Sequence, residues 1–322
     1  MTGAQQDIAG YLQHLQTQRK LSAHTLDNYR RDLDQLLALA SEQPGHGQLA
    51  QLTQFDIRRF AGQLHGRGMS PSSIARKLSA WRGFFSWLAQ QTTMPANPVD
   101  GVKAPKRAKT LPKALGVDDA VKLVSASVVG NDDNPAHALC SKAIFELLYS
   151  SGLRVSELTG LDLRYLQQDR YQSQGWLDLD AAELTVTGKG SKRRSVPVGT
   201  AALQALRDWL AVRDSVARTA PAEDANALFL SARGHRISPR EVQKRIKAHA
   251  QALGIPADVH PHVMRHSFAS HVLQSSGDLR AVQEMLGHAS ISSTQVYTSL
   301  DFQRLAQVYD AAHPRAKKQG GG

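Results

Sequence analysis

Residues 259–297 read VHPHVMRHSFASHVLQSSGDLRAVQEMLGHASISSTQVY, and this stretch decides how the rest of the chain is understood. His262, Arg265 and His266 are spaced as neighbours on one helix face. Asp278 is placed to cap a short helix whose core face is Leu279, Val282, Met285 and Leu286, and Gly287 suits its C-terminal end. His288 then stands just past a helix terminus. A further helix, capped by one of the serines in ASISSTQVYTSL, puts Tyr297 about one turn in. Two histidines, an arginine and a tyrosine so placed can hold a phosphate and attack it. A single tyrosine is ordinarily a core residue, but Val296 beside it can take the packing role.

Working outward, SSGLRVSEL (150–158) supplies Arg154 after a Ser-Gly pair that ends a helical pattern, so that a turn projects the next residues into a cleft. Glu157 reads as its i,i+3 partner. TGKGSKRR (187–194) supplies Lys189 at the turn of a β-hairpin. A phosphodiester is already anionic, so attack on it requires cations at the non-bridging oxygens. Arginine suits this work because its planar guanidinium binds two oxygens and stays protonated. A tyrosine, with a pKa of about 10, needs a nearby cation or base to act as a nucleophile. A mobile hairpin lysine can protonate the leaving oxygen.

Two rival motifs fail. His262 and His266 stand four apart as in zinc helices, but Val263 occupies the position of the required glutamate and Arg265 between them repels a cation. In GKGS, a P-loop would need glycine where Glu183 stands and Ser or Thr where Gly190 stands.

Composition agrees with an anionic partner. The formal net charge is +11 over 322 residues, with 41% hydrophobic and 21% charged residues, as in a basic globular protein. Aromatics are 6%, few for a single-strand or RNA stacking platform. The lone Cys140 excludes an internal disulfide and a multi-Cys zinc site. The absence of a signal-like N-terminus and of any membrane-length apolar run predicts a cytoplasmic protein without a membrane partner.

The organisation is mainly α in two domains. Residues 1–95 read as a helical bundle. Its helices run near Ile8 to Leu15, along Leu26, Tyr29, Leu33, Leu36 and Leu37, along Ile57, Phe60 and Leu64, and along Ile74, Leu78, Trp81, Phe85 and Leu88. Ser22, Thr53 and Ser70 before Pro71 are the expected caps. Residues 96–114 form a basic, Pro-containing linker expected to be a solvated hinge. Residues 115–313 form a mostly helical domain with a small antiparallel sheet, and 314–322 a flexible tail. Candidate DNA contacts are Arg76, Lys77, Lys106 and Arg107, together with Arg240, Lys244 and Arg245 on a basic helix that starts at Ser238-Pro239.

With these residues in place, the chain resembles the tyrosine recombinases, the phage-integrase-like family, and within it the bacterial XerC group. The likeness spans nearly the whole chain and is strongest from Val259 onward. It implies Arg154, Lys189, His262, Arg265 and His288 as activating residues and Tyr297 as the nucleophile of a 3′-phosphotyrosyl intermediate. No cofactor, ATP or metal is implied. It implies a C-shaped clamp on double-stranded DNA carrying a dif-like recombination site. Two copies would assemble with two of an XerD-type recombinase, and a division-linked DNA translocase would be a further partner. The implied role is resolving chromosome and plasmid dimers for segregation at cell division. LDFQRLAQVYDAAH resembles the tail that docks on a neighbouring protomer, through Phe302, Leu305 and Tyr309, though these can equally pack at home. One departure is QQDRYQSQGWLDLDAA (167–182), longer than the family's usual connection and read as a polar surface loop; it leaves Lys192 as an alternative to Lys189. Alternatives with other functions are a mobile-element integrase, a type IB topoisomerase and a non-catalytic DNA-binding regulator.

Overall fold

In the N-terminal part of the chain the apolar spacing becomes four helices: α1 (Gly3–Thr17), α2 (Ala23–Ser41), α3 (Gln54–Gly66) and α4 (Pro71–Leu88). The computed structural model describes residues 3–21, 23–42, 49–106, 114–128, 135–168, 171–188, 192–218, 220–255, 258–287 and 299–315. Thr53 starts α3 with a reciprocal cap. Its hydroxyl accepts from the Asp56 N–H, and the Asp56 carboxylate accepts the Thr53 N–H at 2.9 Å. Ser70 caps α4, and Pro71 supplies its first turn. Leu33, Leu36, Ile57, Phe60, Ile74, Trp81, Phe85 and Leu88 close the core of this unit, Met1–Leu111.

Lys77 lies inside this bundle and not on its surface. Its ammonium donates to Asp32 at 2.8 Å; Arg76 binds the other Asp32 oxygen, and the Trp81 indole N–H donates to the Asp32 carbonyl at 2.8 Å. Lys77 is therefore a structural cation. The first half of the expected hinge is also fixed. Val99 and Val102 are buried, the Asn97 amide donates to the Arg82 carbonyl at 3.0 Å, and the Arg82 guanidinium donates to the Val99 carbonyl at 3.2 Å.

The second unit, Pro112–Gly322, is built round α6 (Pro135–Ser151), with α5 (Val117–Ser125) before it. Cys140, Ile144, Phe145, Leu147, Leu148 and Tyr149 of α6 are all fully buried, so the helix is covered on every side. It is packed by α5, α8 (Thr200–Ala217), α9 (Pro239–Ala252) and α10 (Pro261–Ser276). Between α7 (Val155–Thr159) and α8 lies a four-stranded sheet of β1 (Leu161–Asp162), β4 (Gly175–Asp178), β5 (Glu183–Thr187) and β6 (Arg193–Pro197), in that order. The hairpin read around Lys189 is β5–β6. The sheet is mixed, however, because β1 pairs with β4 in parallel.

The expected surface loop is thus partly structural. β4 is its second half. Its first half is the small antiparallel hairpin β2 (Gln167–Gln168) and β3 (Tyr171–Gln172). The Tyr171 hydroxyl donates to Asp162 at 2.7 Å, and Arg236 binds the other oxygen of Asp162 at 2.7 Å, pinning this hairpin to the sheet.

α11 (Leu279–Leu286) and α12 (Ser299–Ala312) complete the unit. Leu305 and Tyr309 pack at home, against Phe268, Val272, Met285 and Leu286; the side chain of Phe302 lies outside the described residues. The expected tail is anchored as far as Arg315, which pairs with buried Glu146. His313 is fully buried as a neutral ring. Nε2 donates to the Tyr149 carbonyl at 3.1 Å, and Nδ1 accepts from the Arg315 N–H at 3.1 Å. No helix among the described residues is long and apolar enough to cross a membrane.

Burial pushes the His313 pKa down from 6.5 to about 3. The unfolded chain therefore binds the extra proton first, and stability falls as pH drops below about 6.5. Between pH 7 and pH 5 His313 alone should cost this unit about 2 kcal/mol. Equilibrium denaturation at the two pH values checks this. The loss should shrink in His313→Gln, and equal pH dependence in the two proteins would contradict it.

Candidate active site

The site starts where α6 ends. Gly152 adopts φ +56°, and a Cβ there would meet the Phe268 ring at 2.4 Å, so this turn requires glycine on two counts. The turn sets Arg154 at the N-terminus of α7, with Glu157 in its first turn. Glu157 is a hub. One carboxylate oxygen accepts the Arg154 backbone N–H at 2.9 Å, and the other accepts the Arg154 guanidinium at 2.7 Å. Arg194, from the inward face of β6, grips the same carboxylate with two hydrogen bonds of 2.9 and 2.8 Å. Burial works to raise the Glu157 pKa, but the Arg194 fork and the Arg154 N–H and side chain outweigh it and hold the group below the usual carboxylate range.

Arg265 reaches the hub from α10. Its guanidinium donates to the Gly152 carbonyl and to the Leu286 carbonyl, both at 2.6 Å, and lies 3.9 Å from Glu157. It thereby ties the end of α6 to the end of α11. Burial first, then the neighbouring Arg154, depress its pKa to about 10 against the pull of Glu157. The Arg154 side chain remains 35% exposed, whereas those of Arg194 and Glu157 are 4% and 5% exposed. Three guanidiniums around one carboxylate leave two positive charges in excess in a largely buried setting. A buried charge surplus is costly unless an anion joins it. Arg154, on the open side, is where one can enter.

Three of the six expected residues, Lys189, His288 and Tyr297, lie outside the described residues. The described neighbours of Lys189 and His288, Gly188 and Gly287, adjoin the cluster. The Gly188 N–H donates to the Lys192 carbonyl at 2.8 Å, closing the base of the hairpin. Gly287 ends α11 at φ +66°, where a Cβ would stand 3.1 Å from the Arg194 guanidinium. α12 begins at Ser299. His262 sits one turn before Arg265 on α10, exposed, with its ring edge-to-face with His260 at 6.1 Å. Lys192, the alternative to Lys189, is exposed.

Among the candidate DNA contacts, Lys106, Arg240 and Lys244 are exposed. Arg245 is only half-buried and pairs with Glu241 at 2.9 Å, and Arg76 pairs with Asp32. Arg107 lies outside the described residues. The sequence reading missed the hub role of Glu157 and missed Arg194 altogether. Strand phase carried a signal for the second: Arg194 shares the inward face of β6 with Val196, while Arg193 points outward over Trp176 and Tyr165.

Residues 115–304 match the model of the phage integrase family, and residues 8–92 match that of the phage integrase N-terminal SAM-like domain. Tyrosine recombinase XerC of Ralstonia pickettii is 58% identical over 314 residues, covering 97% of this chain and 94% of that protein. The chain belongs to the tyrosine recombinase family. Tyrosine recombinase XerC of Alcanivorax borkumensis is 47% identical over 314 residues, covering 98% of this chain and 95% of that protein. In fold the chain is similar to the XerH site-specific recombinase bound to palindromic difH substrate in a post-cleavage complex, with TM-score 0.64 and 20% identity over 91% of this chain and 81% of that one. This tyrosine recombinase is a DNA strand-exchange enzyme that performs site-specific recombination. A non-catalytic regulator is set aside.

The recombinase site depends on the Gly152 turn. Gly152→Ala adds a strained φ and a clash with Phe268, and should destabilise the second unit by roughly 2–4 kcal/mol. Chemical denaturation measures this; a variant as stable as the native chain would contradict the geometry.

Proposed function

We propose that this recombinase works as an XerC-type enzyme on duplex DNA through a 3′-phosphotyrosyl intermediate. The observation that carries the reading is the surplus of guanidinium charge at half-exposed Arg154 and buried Arg265. A phosphodiester brings one negative charge, and the phosphorane formed by attack of a tyrosinate carries two, matching the surplus. Arg154 and Arg265 hold the non-bridging oxygens, with His288 as a further activating group. His262 accepts the proton of Tyr297, whose oxygen attacks phosphorus. The P–O5′ bond breaks, and Lys189, or Lys192 in its place, protonates the leaving oxygen. A 5′-hydroxyl from another strand then attacks the phosphotyrosine and frees Tyr297. The covalent link conserves the bond energy between the two steps.

On this reading both units contact the DNA. Lys106, Arg107, Arg240 and Lys244 contribute electrostatic contacts to the phosphate backbone. As in the likeness to the XerC group, the proposed setting is a dif-like site, an XerD-type partner in a two-plus-two tetramer, and a role in resolving chromosome and plasmid dimers at cell division in the cytoplasm; its support is the identity to proteins named tyrosine recombinase XerC. A division-linked translocase completes the set of partners.

The test is a nicked, end-labelled dif-type duplex with an XerD-type partner, resolved on a denaturing gel. The native chain should form a covalent adduct and Tyr297→Phe none. Arg154→Ala and Arg265→Ala should each slow adduct formation by about 100-fold or more. No adduct with the native chain would overturn the proposal. Relaxation of any supercoiled plasmid without the partner would point to a topoisomerase, and strand transfer into unrelated DNA without it to a mobile-element integrase.

A further inference from the structure

Arg194 is the least exposed of the three arginines in the cluster, and its contacts differ in kind from those of the other two. All its hydrogen bonds run inward. Nη1 and Nη2 fork onto Glu157, and Nε donates to the Met285 carbonyl at 2.9 Å. One planar group thus joins three segments: β6 through its own backbone, the start of α7 through Glu157, and the last turn of α11 through Met285. The backbones of Gly188 and Gly287 approach it closely; a Cβ on either would stand 3.5 or 3.1 Å from Nη1. With only 5% of the residue exposed, no face remains for a ligand.

Glu157 has two oxygens and three guanidiniums competing for them. The Arg194 fork occupies both oxygens in one plane, which leaves Arg154 a single side-chain bond and keeps Arg265 at 3.9 Å. Without the fork, the carboxylate is free to turn fully onto Arg154 or Arg265. Either would then lose donors needed by a phosphate. The Arg194–Glu157 pair also cancels its own charge, so the two positive charges left over sit on Arg154 and Arg265. We propose that Arg194 is a positioning residue for the recombination reaction: by engaging both oxygens of Glu157 and the Met285 carbonyl, it stops the carboxylate drawing Arg154 and Arg265 further onto itself, so that their remaining N–H donors can meet the scissile phosphate. This rests on the phosphoryl-transfer reading above. A lysine cannot substitute, because an ammonium is a point charge and cannot span two carboxylate oxygens and a carbonyl in one plane.

The experiment uses the full chain, its XerD-type partner and nicked duplexes, with Arg194→Lys, Arg194→Met and, as a reference, Arg154→Ala. Gel shift measures DNA binding, and single-turnover adduct formation measures the chemistry. Binding should stay within about threefold of native for Arg194→Lys, while adduct formation falls by about 100-fold, the scale of a misplaced catalytic group. The deciding readout is a duplex whose scissile phosphate is a methylphosphonate. It lacks one anionic oxygen and so demands less of the two arginines. On it the defects of Arg194→Lys and Arg154→Ala should both shrink to under about tenfold. A defect of equal size on both substrates would make Arg194 a merely structural prop and overturn the proposal. So would a native rate in Arg194→Lys, or loss of DNA binding and thermal stability in both Arg194 variants. If the native chain itself forms no adduct, the phosphoryl-transfer reading fails instead.

Discussion

A buried carboxylate, Glu157, shared among Arg154, Arg194 and Arg265, is the constraint on which the second unit depends. An isolated carboxylate at this depth would be neutral, and three guanidiniums without it would repel one another. Together they form a lattice of charge-assisted bonds that fixes the end of α6, the start of α7, strand β6 and the end of α11. Phosphate chemistry needs cations that do not collapse onto a protein anion. Here Arg194 bonds both oxygens of the single carboxylate, which leaves Arg154 one side-chain bond to it and holds Arg265 at 3.9 Å.

The surrounding packing keeps the lattice in place. Phe268 of α10 fills the space beside Gly152, so the helix carrying Arg265 also shapes the turn that presents Arg154. On the other side, α10 and α11 share a core with Leu305 and Tyr309 of α12. The end of α12 is tied to α6 through His313 and through the Arg315–Glu146 pair. The chain on either side of Tyr297 is therefore held, at Leu286 by Arg265 and at α12 by this core. The first unit contains a related arrangement: Asp32 accepts from Lys77 inside the bundle, beside Trp81.

Much of this was legible from residue spacing. Caps at Thr53, Ser70, Ser238 and Asp278, with Gly287 at a helix end, marked helix boundaries because each satisfies backbone groups through local geometry. Arg154 and Arg265 stood out by their motifs. What was not legible is non-local. The parallel pairing of β1 with β4 involves a two-residue strand, too short to show a period. The docking of Val99 and Val102 depends on a surface that exists only once the bundle has formed. Lys77 reads as one more surface cation, although its spacing from Ile74 and Trp81 places it on the apolar face of α4. Glu157 shows only its neighbour Arg154 in sequence; Arg194 lies 37 residues away and meets it through the sheet.

In the proposed mechanism the scissile phosphate becomes bonded to Tyr297. Mass spectrometry of the adduct decides it most directly. The covalent complex is trimmed with nuclease and digested with trypsin. A 3′-linked nucleotide is expected on the peptide spanning residues 281–304, with fragmentation placing it on Tyr297. A nucleotide on any other residue, or attached through its 5′-phosphate, would rule out this mechanism.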